Sequence, residues 1–578
     1  SKGYASLVFI QNSNNRGYPM PFTLQMERCT FTQISSNQRG GGFQLGGTSN
    51  RFGNQINYNA YTSLNLNNCT FAHNYTPKEG GAISLIVLSP IIITNCIFRN
   101  NTGSQGAVFY IRTLFNNEYL PNCTITNCTF IENEDINSST NSVLYFDNLW
   151  QEESETDIVI SKCTFYNNLK SHSNNGYCIS GPARSFTIEG NHFNNDNNLD
   201  SSCTAFFTQR RSILNFSNNY FVQCNPHAIY YLPSSGLDNE EEIAIINCTF
   251  DSNNADKNGL AIHLFNITNS NLILTNLSFL NHDTDKLLIY ITSLEIPNEI
   301  RFSFFSFINN AYRGSSGCGG ICIEFNEVSS LIFYHCIFES NFSPSKGGAI
   351  HLPNSKLEFD GCEFSQNNAT LDGGACYFEQ NNSVVMTNCV FNDNRASNNG
   401  GAIVVQSNLT ITGCHFSNCK SQNSQFYIHT DLTGVVCLFN HCSFSYSKEE
   451  IDSNSTRAVY VDGNIFVSFN TCNFTNYTKG STGFLVTTNE ECSYFPMIVS
   501  CIFQGLYGDS LIYCPIAQRI EFSMCIFEDC NLSGQHGTII ECPQATTFII
   551  QNNEFRNVHS SNGSIKHISN STQQQKIY

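Results

Sequence analysis

The chain has one tryptophan in 578 residues, and charged residues make up only 13% of it. That is about half the usual charged share. No Lys/Arg cluster is longer than Arg210-Arg211, and the net charge is −18. A basic patch is the footprint of a nucleic-acid or anionic-membrane partner, so neither is expected. No run of eighteen apolar residues exists, so no direct membrane insertion is expected in this segment. Cys-x-x-Cys is absent, and the Cys318–Cys322 pair has no matching pair or His partners. Zinc is therefore not expected. The Asn-Thr-Asp, Asp-Asp and Arg-Ile-Lys signatures of polysaccharide hydrolases are essentially missing, and His536-Gly537 stands alone. No nucleophile triad, phosphate-cradling loop or heme motif stands out. No catalytic residue and no cofactor is expected.

What the chain has is one phrase in nineteen copies. It reads Cys-x-Phe-x-x-Asn, as in Cys389-Val-Phe391-Asn-Asp-Asn394. Eighteen intervals from Phe31 to Phe555 give a mean period of about 29 residues. A fixed period of this size marks a solenoid, propeller or array. The longer consensus is Gly-Gly-Ala-Ile-x-Φ, a variable loop, Φ-x-Φ, two bend residues, then the anchor phrase, where Φ is apolar. Residues 347–367 are a full copy. Each apolar piece alternates with period 2, the mark of a strand. The residue before the anchor Cys slot is Asn or Gly in many copies: Asn68, Asn95, Asn127, Gly190, Asn247, Gly361, Asn388 and Gly413. These types tolerate φ > 0, so a left-handed bend belongs there.

Three short strands and three bends per repeat predict an all-β fold. It is a right-handed parallel β-helix solenoid of about 19 coils of roughly 29 residues, its hand set by the rule for parallel crossovers. At a spacing of ~4.8 Å the coils would stack into a rod of roughly 90 Å. One continuous β-helix is expected over 1–578, with loop insertions near 36–62, 103–122, 133–157 and 311–318 and a polar tail at 569–578.

Stacking assigns roles to the recurring side chains. Asn74, Asn101, Asn133, Asn168, Asn253, Asn310, Asn341, Asn367 and Asn394 recur three residues after the anchor Phe. A column of amides can pass hydrogen bonds from coil to coil, so these form a structural ladder. The chain has twenty Asn-x-Ser/Thr sequons. Glycosylation candidates are Asn68, Asn127, Asn215, Asn247, Asn276, Asn368, Asn408, Asn473, Asn531 and Asn562. Many sequons in a Cys-rich, Lys-poor chain favour an extracellular or cell-surface protein that uses the secretory pathway. Of 27 cysteines, fourteen fill the Cys-x-Phe slot. They read either as buried small hydrophobes or as coil-to-coil bridges. Cys514 and Cys542, each before a Pro, are the better disulfide candidates.

The pairing of Gly-Gly-Ala-Ile with Phe-x-x-Asn resembles the repeats of chlamydial polymorphic membrane proteins and of β-helix surface proteins of protists such as trichomonads. The first motif stands as Gly80–Ile83, Gly347–Ile350 and Gly400–Ile403, with variants at Gly373–Cys376 and Gly319–Cys322. The resemblance implies surface display, adhesion and no catalysis. No outer-membrane barrel follows the repeats in this sequence, and the sequons suit a eukaryotic route, so the protist relatives are nearer.

Together these readings predict a non-catalytic structural or surface glycoprotein: a filament subunit, coat component or adhesin. Its ends lie in strand register without capping helices, which points to end-to-end self-association or to partnership with other surface proteins. A polysaccharide-binding or -degrading module is the alternative, with glycans as partners. An aromatic and carboxylate-lined strand face would favour it. A third reading is the ectodomain fragment of a larger membrane-anchored surface protein. Trp150 is a candidate for stacking on a sugar. It sits beside the acidic loop Glu152-Glu153-Ser-Glu155-Thr-Asp157; Asp238 with Glu240–Glu242, and Glu490-Glu491, form others. Such loops could bind calcium weakly. His263 and His351, in Ala-Ile-His-Leu frames, are expected to face solvent by alternation.

Overall fold

The computed structural model describes residues 9–10, 22–37, 39–45, 62–87, 90–113, 122–136, 142–147, 156–169, 176–195, 203–209, 212–224, 226–233, 242–253, 261–267, 271–293, 299–314, 323–325, 330–352, 356–380, 382–446, 457–477, 484–487, 496–508, 510–514, 519–533, 537–543, 545, 547–561, 565–566 and 576–577. Among them all regular structure is strand. The chain divides into two compact units. One comprises Ser1–His282, Lys286–Ile296 and Glu324–Glu327, and the other Asp283–Asp285, Pro297–Ile323 and Val328–Tyr578.

In the first unit strands pair in parallel with their equivalents one period on, building three long sheets and a two-stranded one, Thr102–Gly103 with Glu134–Asp135. The anchor sheet runs through Thr30–Thr32, Thr70–Ala72, Ile97–Arg99 and onward to Ser278–Leu280. Its centre is a column of rings. From Phe71 to Phe279 successive centroids lie 4.6–5.2 Å apart and within 12° of parallel. This is the strand spacing imposed on identical side chains.

The second unit repeats the plan. Lys356–Asp360 buries Leu357 and Phe359, and Glu363–Ser365 buries Phe364. Phe364 stacks between Phe338 and Phe391, 4.6 Å from each. Phe359 stacks on Phe333 at 4.9 Å, giving this unit a second ring column.

The bends explain how the inward face changes strand. Asn68, Asn95, Asn127, Asn247 and Asn388 have φ of 52–56°, and Gly361 and Gly413 have φ of 63° and 67°. The same bend is forced on Lys162, Phe304, Thr471 and Met524, residues that gain nothing locally from φ > 0. Register therefore overrides preference at these rungs. A second left-handed bend follows the anchor Phe by two, at Gln366 and Asp393 (φ 56° and 53°). In Gly347-Gly348 the two glycines do different work. Gly347 has φ of +64°, and a Cβ on Gly348 would meet the carbonyl oxygen of Gly374 at 2.0 Å.

Asn341, Asn367 and Asn394 are fully buried. Asn341 Nδ2 donates to Asn367 Oδ1 at 2.9 Å, and Asn367 Nδ2 to Asn394 Oδ1 at 2.9 Å. The second proton of Asn367 Nδ2 goes to the Phe338 carbonyl at 2.8 Å, and its Oδ1 also accepts the Asn341 backbone N–H at 3.0 Å. Each amide is thus fully used. In the first unit Asn74, Asn101, Asn133 and Asn168 form the same chain. Cys224, His282, Cys419 and Cys530 hold the equivalent register; there Asn394 Nδ2 donates to Cys419 Sγ at 3.7 Å.

We predict that Asn367→Ala costs the second unit about 3 kcal/mol or more, because buried groups on two neighbouring rungs lose their partners. Asn367→Cys, a residue this register already accepts, costs clearly less. Denaturant unfolding of the two variants measures the difference, and equal losses would contradict the ladder.

Candidate ligand-binding face

The Gly-Gly-Ala-Ile strands turn alternate residues toward and away from the ring core. In the first unit Phe109 packs inward, its ring 4.8 Å from that of Phe98. The residue after it, Tyr110, lies on the other side. One column on this outer side runs in register through Phe207, Tyr230, His263 and Tyr290. Tyr177 stacks on Phe207 at 4.3 Å, Phe207 on Tyr230 at 5.1 Å, and His263 lies 4.8 Å from Tyr230 and 5.0 Å from Tyr290. All are half-buried. Tyr177, Phe207 and Tyr230 are stacked, whereas the His263 ring is tilted 41° to Tyr230 and meets Tyr290 edge-on at 70°.

In the second unit the same register holds His351, Tyr377, Val404, Tyr427 and Tyr460. Tyr427 and Tyr460 stack at 5.1 Å. Two residues further along each strand stand Glu379, Gln406, His429 and Asp462. His351 Nε2 lies 2.9 Å from Glu379 Oε1, and Tyr427 donates to Asp462 Oδ2 at 3.4 Å. His429 Nδ1 is 3.3 Å from the same oxygen. Lys346 Nζ donates to the Tyr377 hydroxyl at 2.8 Å and sits 4.1 Å above its ring. The first unit has a buried counterpart: Arg112 Nη2 binds Asp147 Oδ2 at 2.6 Å, and Tyr110 joins both. Arg112 and Asp147 thus form an ion pair, and Lys346, Glu379 and Asp462 each have a hydrogen-bond partner within the face. Burial raises the pKa of Tyr145, Tyr230 and Tyr427, which keeps them protonated donors.

Sequence reasoning treated this register as the variable x of Gly-Gly-Ala-Ile-x-Φ. The signal was present: x is Tyr or His in Ala-Ile-Tyr230, Ala-Ile-His263, Ala-Ile-His351 and Ala-Cys-Tyr377. The expectation that His263 and His351 face solvent is corrected. His263 is half-buried between rings of both neighbouring rungs, His227 and Tyr230 on one side and Tyr290 on the other, and His351 is buried with the Tyr377 ring and Glu379 against it.

The other candidates fall as follows. Asn68, Asn127, Asn247, Asn276, Asn368, Asn408, Asn473 and Asn531 are exposed, and Asn215 is half-buried. Asn562 lies outside the described residues, as do Trp150, Glu152, Glu153, Glu155, Asp238, Glu240, Glu241, Glu490, Glu491, Cys318 and Cys322. The ladder residues Asn74, Asn101, Asn133, Asn168, Asn253, Asn310, Asn341, Asn367 and Asn394 are buried. The Cys514–Cys542 disulfide is corrected: both are free thiols on neighbouring rungs. Straight stacking holds equivalent Cβ atoms about a strand spacing apart with parallel vectors, whereas a bridge needs about 3.8 Å and converging ones. The anchor cysteines are free as well. They act as a ladder of their own, with Cys389 N–H donating to Cys414 Sγ at 3.3 Å. Asn191 and Asn219 take the same slot with amides. Among the described residues no group of three or more His, Cys, Asp or Glu is placed to hold a metal, and no helix is long and apolar enough to cross a membrane.

A family model described as "Right handed beta helix region" matches residues 302–493, about a third of the chain. With the parallel stacking above, this makes the protein a right-handed β-helix protein. No curated protein matches the chain.

Two outcomes are expected. In protein secreted by a eukaryotic host, glycopeptide mass spectrometry finds Asn127 and Asn247 occupied and Asn74 and Asn341 empty. Both amide protons of Asn74 are already committed, to Asn101 Oδ1 and the Phe31 carbonyl, so full occupancy at Asn74 would contradict the ladder. The second concerns acid. Both His263 nitrogens are buried without a partner, and burial lowers its pKa to about 4. A folded value below the unfolded ~6.5 gives stability that is present above pH 6.5 and is lost as pH falls toward 4. His263→Phe should therefore reduce the fall in Tm between pH 6.5 and 4; an unchanged fall would contradict the assignment.

Proposed function

We propose that this chain is a non-catalytic, surface-displayed binding solenoid, each unit of which holds an extended neutral polysaccharide along the outer face of its own Gly-Gly-Ala-Ile strands. The observation that carries this reading is the column of aromatic side chains through Tyr230, His263 and Tyr290, and again through Tyr427 and Tyr460, whose phenols supply the polar edges. Its repeat is the rung spacing of ~4.8 Å, close to the length of one sugar residue. A polymer laid along the axis would meet phenol hydroxyls at Tyr230 and Tyr290, two rungs apart, in the first unit and at Tyr427 and Tyr460, on neighbouring rungs, in the second. Arg112, Lys346, Glu379 and Asp462 are already engaged by partners within the face, which favours an uncharged ligand.

Binding without cleavage is supported by carboxylate spacing. Glu379 and Asp462 stand three rungs apart in the register, roughly 14 Å by strand spacing. Glycoside hydrolysis places its two carboxyl groups at most about 9.5 Å apart. Extracellular, glycosylated display is supported by the exposed sequons set against a buried ladder. The likeness to polymorphic membrane protein-type repeats, nearer their protist relatives, supports adhesion as the use of such a surface.

Affinity electrophoresis of the full chain through gels containing soluble xylan, mannan, β-glucan or glycol chitin tests this. At least one polymer should retard the protein. Tyr230→Phe, Tyr427→Phe and Tyr460→Phe keep the stacking and remove only hydroxyls. Combined, they should weaken retardation about tenfold or more with Tm unchanged. No retardation by any of the four, or equal retardation of the triple variant, would overturn the proposal.

A further inference from the structure

The second unit carries a hollow of about 460 Å³ that is separate from the outer-face column. That volume lies in the range of small-molecule sites, roughly 300–1,000 Å³. It sits where the chain leaves the anchor sheet. Two parallel columns wall it: Asn476, Gly505, Asp529 and Asn557 on one side, Tyr507, Asn531 and His559 on the other. The first column occupies the second left-handed bend, with φ of 50–64°. The second is held in register by Tyr507–Gly508, Asn531–Leu532 and His559–Ser560.

The hollow exists because one side chain is missing. Of the nineteen residues that stand two after an anchor Phe, only Gly505 is glycine. Its backbone does not require this, since Asn476 and Asn557 hold nearly the same φ. Packing does not require it either. A Cβ there would meet only Asn476, at 3.1 Å from Oδ1, in contrast to the 2.0 Å clash at Gly348. The effect of glycine here is to open space between Asn476 and Asp529.

The lining has unused chemistry. Tyr507 is 46% exposed, and no other ring covers it among the described residues. Asn557 Nδ2 donates to Asp529 Oδ1 at 2.7 Å, which leaves Asp529 Oδ2 to accept. The side-chain amides of Asn476 and Asn531 have no protein partner among the described residues. The nearby cation, Arg556, is committed to Glu554 and Glu528. A ring platform flanked by a carboxylate acceptor and amide donors, with no Lys or Arg in the lining among the described residues, is the chemistry that recognises a pyranose. The C–H face of the sugar lies on the ring, and vicinal hydroxyls meet the carboxylate and amides. We propose that this hollow is a second binding site, a subsite for a single neutral sugar residue. Asn476 and Asn531 both begin sequons, and a glycan on either would fill the hollow. The proposal therefore requires both to be unglycosylated, which reverses the sequence-based reading of Asn531.

Saturation-transfer difference NMR on the full chain tests it with methyl β-glucoside, methyl β-galactoside, methyl α-mannoside and N-acetylglucosamine. At least one should bind at millimolar concentration. Gly505→Asn restores the side chain found at the neighbouring rungs and fills the space. It should weaken binding at least tenfold with Tm unchanged, and Tyr507→Ala should weaken it similarly. The Tyr230, Tyr427 and Tyr460 variants should leave it intact, which separates this site from the outer face. No binding by any of the four sugars, binding unchanged in Gly505→Asn, or full glycan occupancy at Asn531 in the native protein would each overturn the proposal.

Discussion

The structure depends on one constraint: every polar group that faces inward at a bend must find its partner on the rung above or below. A parallel solenoid brings equivalent residues together at a single spacing, so a side chain that bonds to its own kind solves the problem at every rung. Asn does this completely. Its carbonyl accepts twice, and its two protons go to the next amide and to a backbone carbonyl. The thiol of Cys is a weaker version of the same device, accepting the N–H of the previous rung and donating to a backbone carbonyl. This accounts for the exchange of the two residues in both columns, with Cys419 in an Asn register and Asn191 in a Cys register.

The same constraint reconciles many cysteines with no disulfides among the described residues. Burial pushes the thiols of Cys123 and Cys437 up to about 12, far from the thiolate that would react. In the anchor column the neighbouring thiols instead lower the pKa of Cys163, Cys389 and Cys525, so what would carry these thiols through an oxidising compartment is their burial.

Most of the fold was legible because its determinants are local and periodic. Phe71, Phe364 and their equivalents announce the core column, and Asn68 and Gly361 announce the first bend. The second bend was legible too and was missed. Asn100, Asn167, Asn281, Asn309, Asn418, Asn476 and Asn557 stand there with φ of 48–61°, the same preference as at the first bend, but the position had been passed over as an x of the anchor phrase, and Gln366, Glu132 and Ser340 in other copies blur it. The outer-face column was legible in part. Ala-Ile-Tyr and Ala-Ile-His were visible, but alternation alone placed His263 and His351 in solvent. Alternation describes one strand, and it is the rings of adjacent rungs that bury these two. The hollow at Gly505 was not legible, because a single glycine in a variable position has meaning only once its column is known.

The most direct test of the ladder account is alkylation mapping of the native protein without reductant. Iodoacetamide is applied before and after unfolding, and each cysteine is read by mass spectrometry. The account predicts that Cys336, Cys362, Cys389, Cys414, Cys442, Cys472, Cys501 and Cys525 are unreactive in the folded chain and all react once it is unfolded. A disulfide-linked peptide joining any two stacked anchors would contradict it.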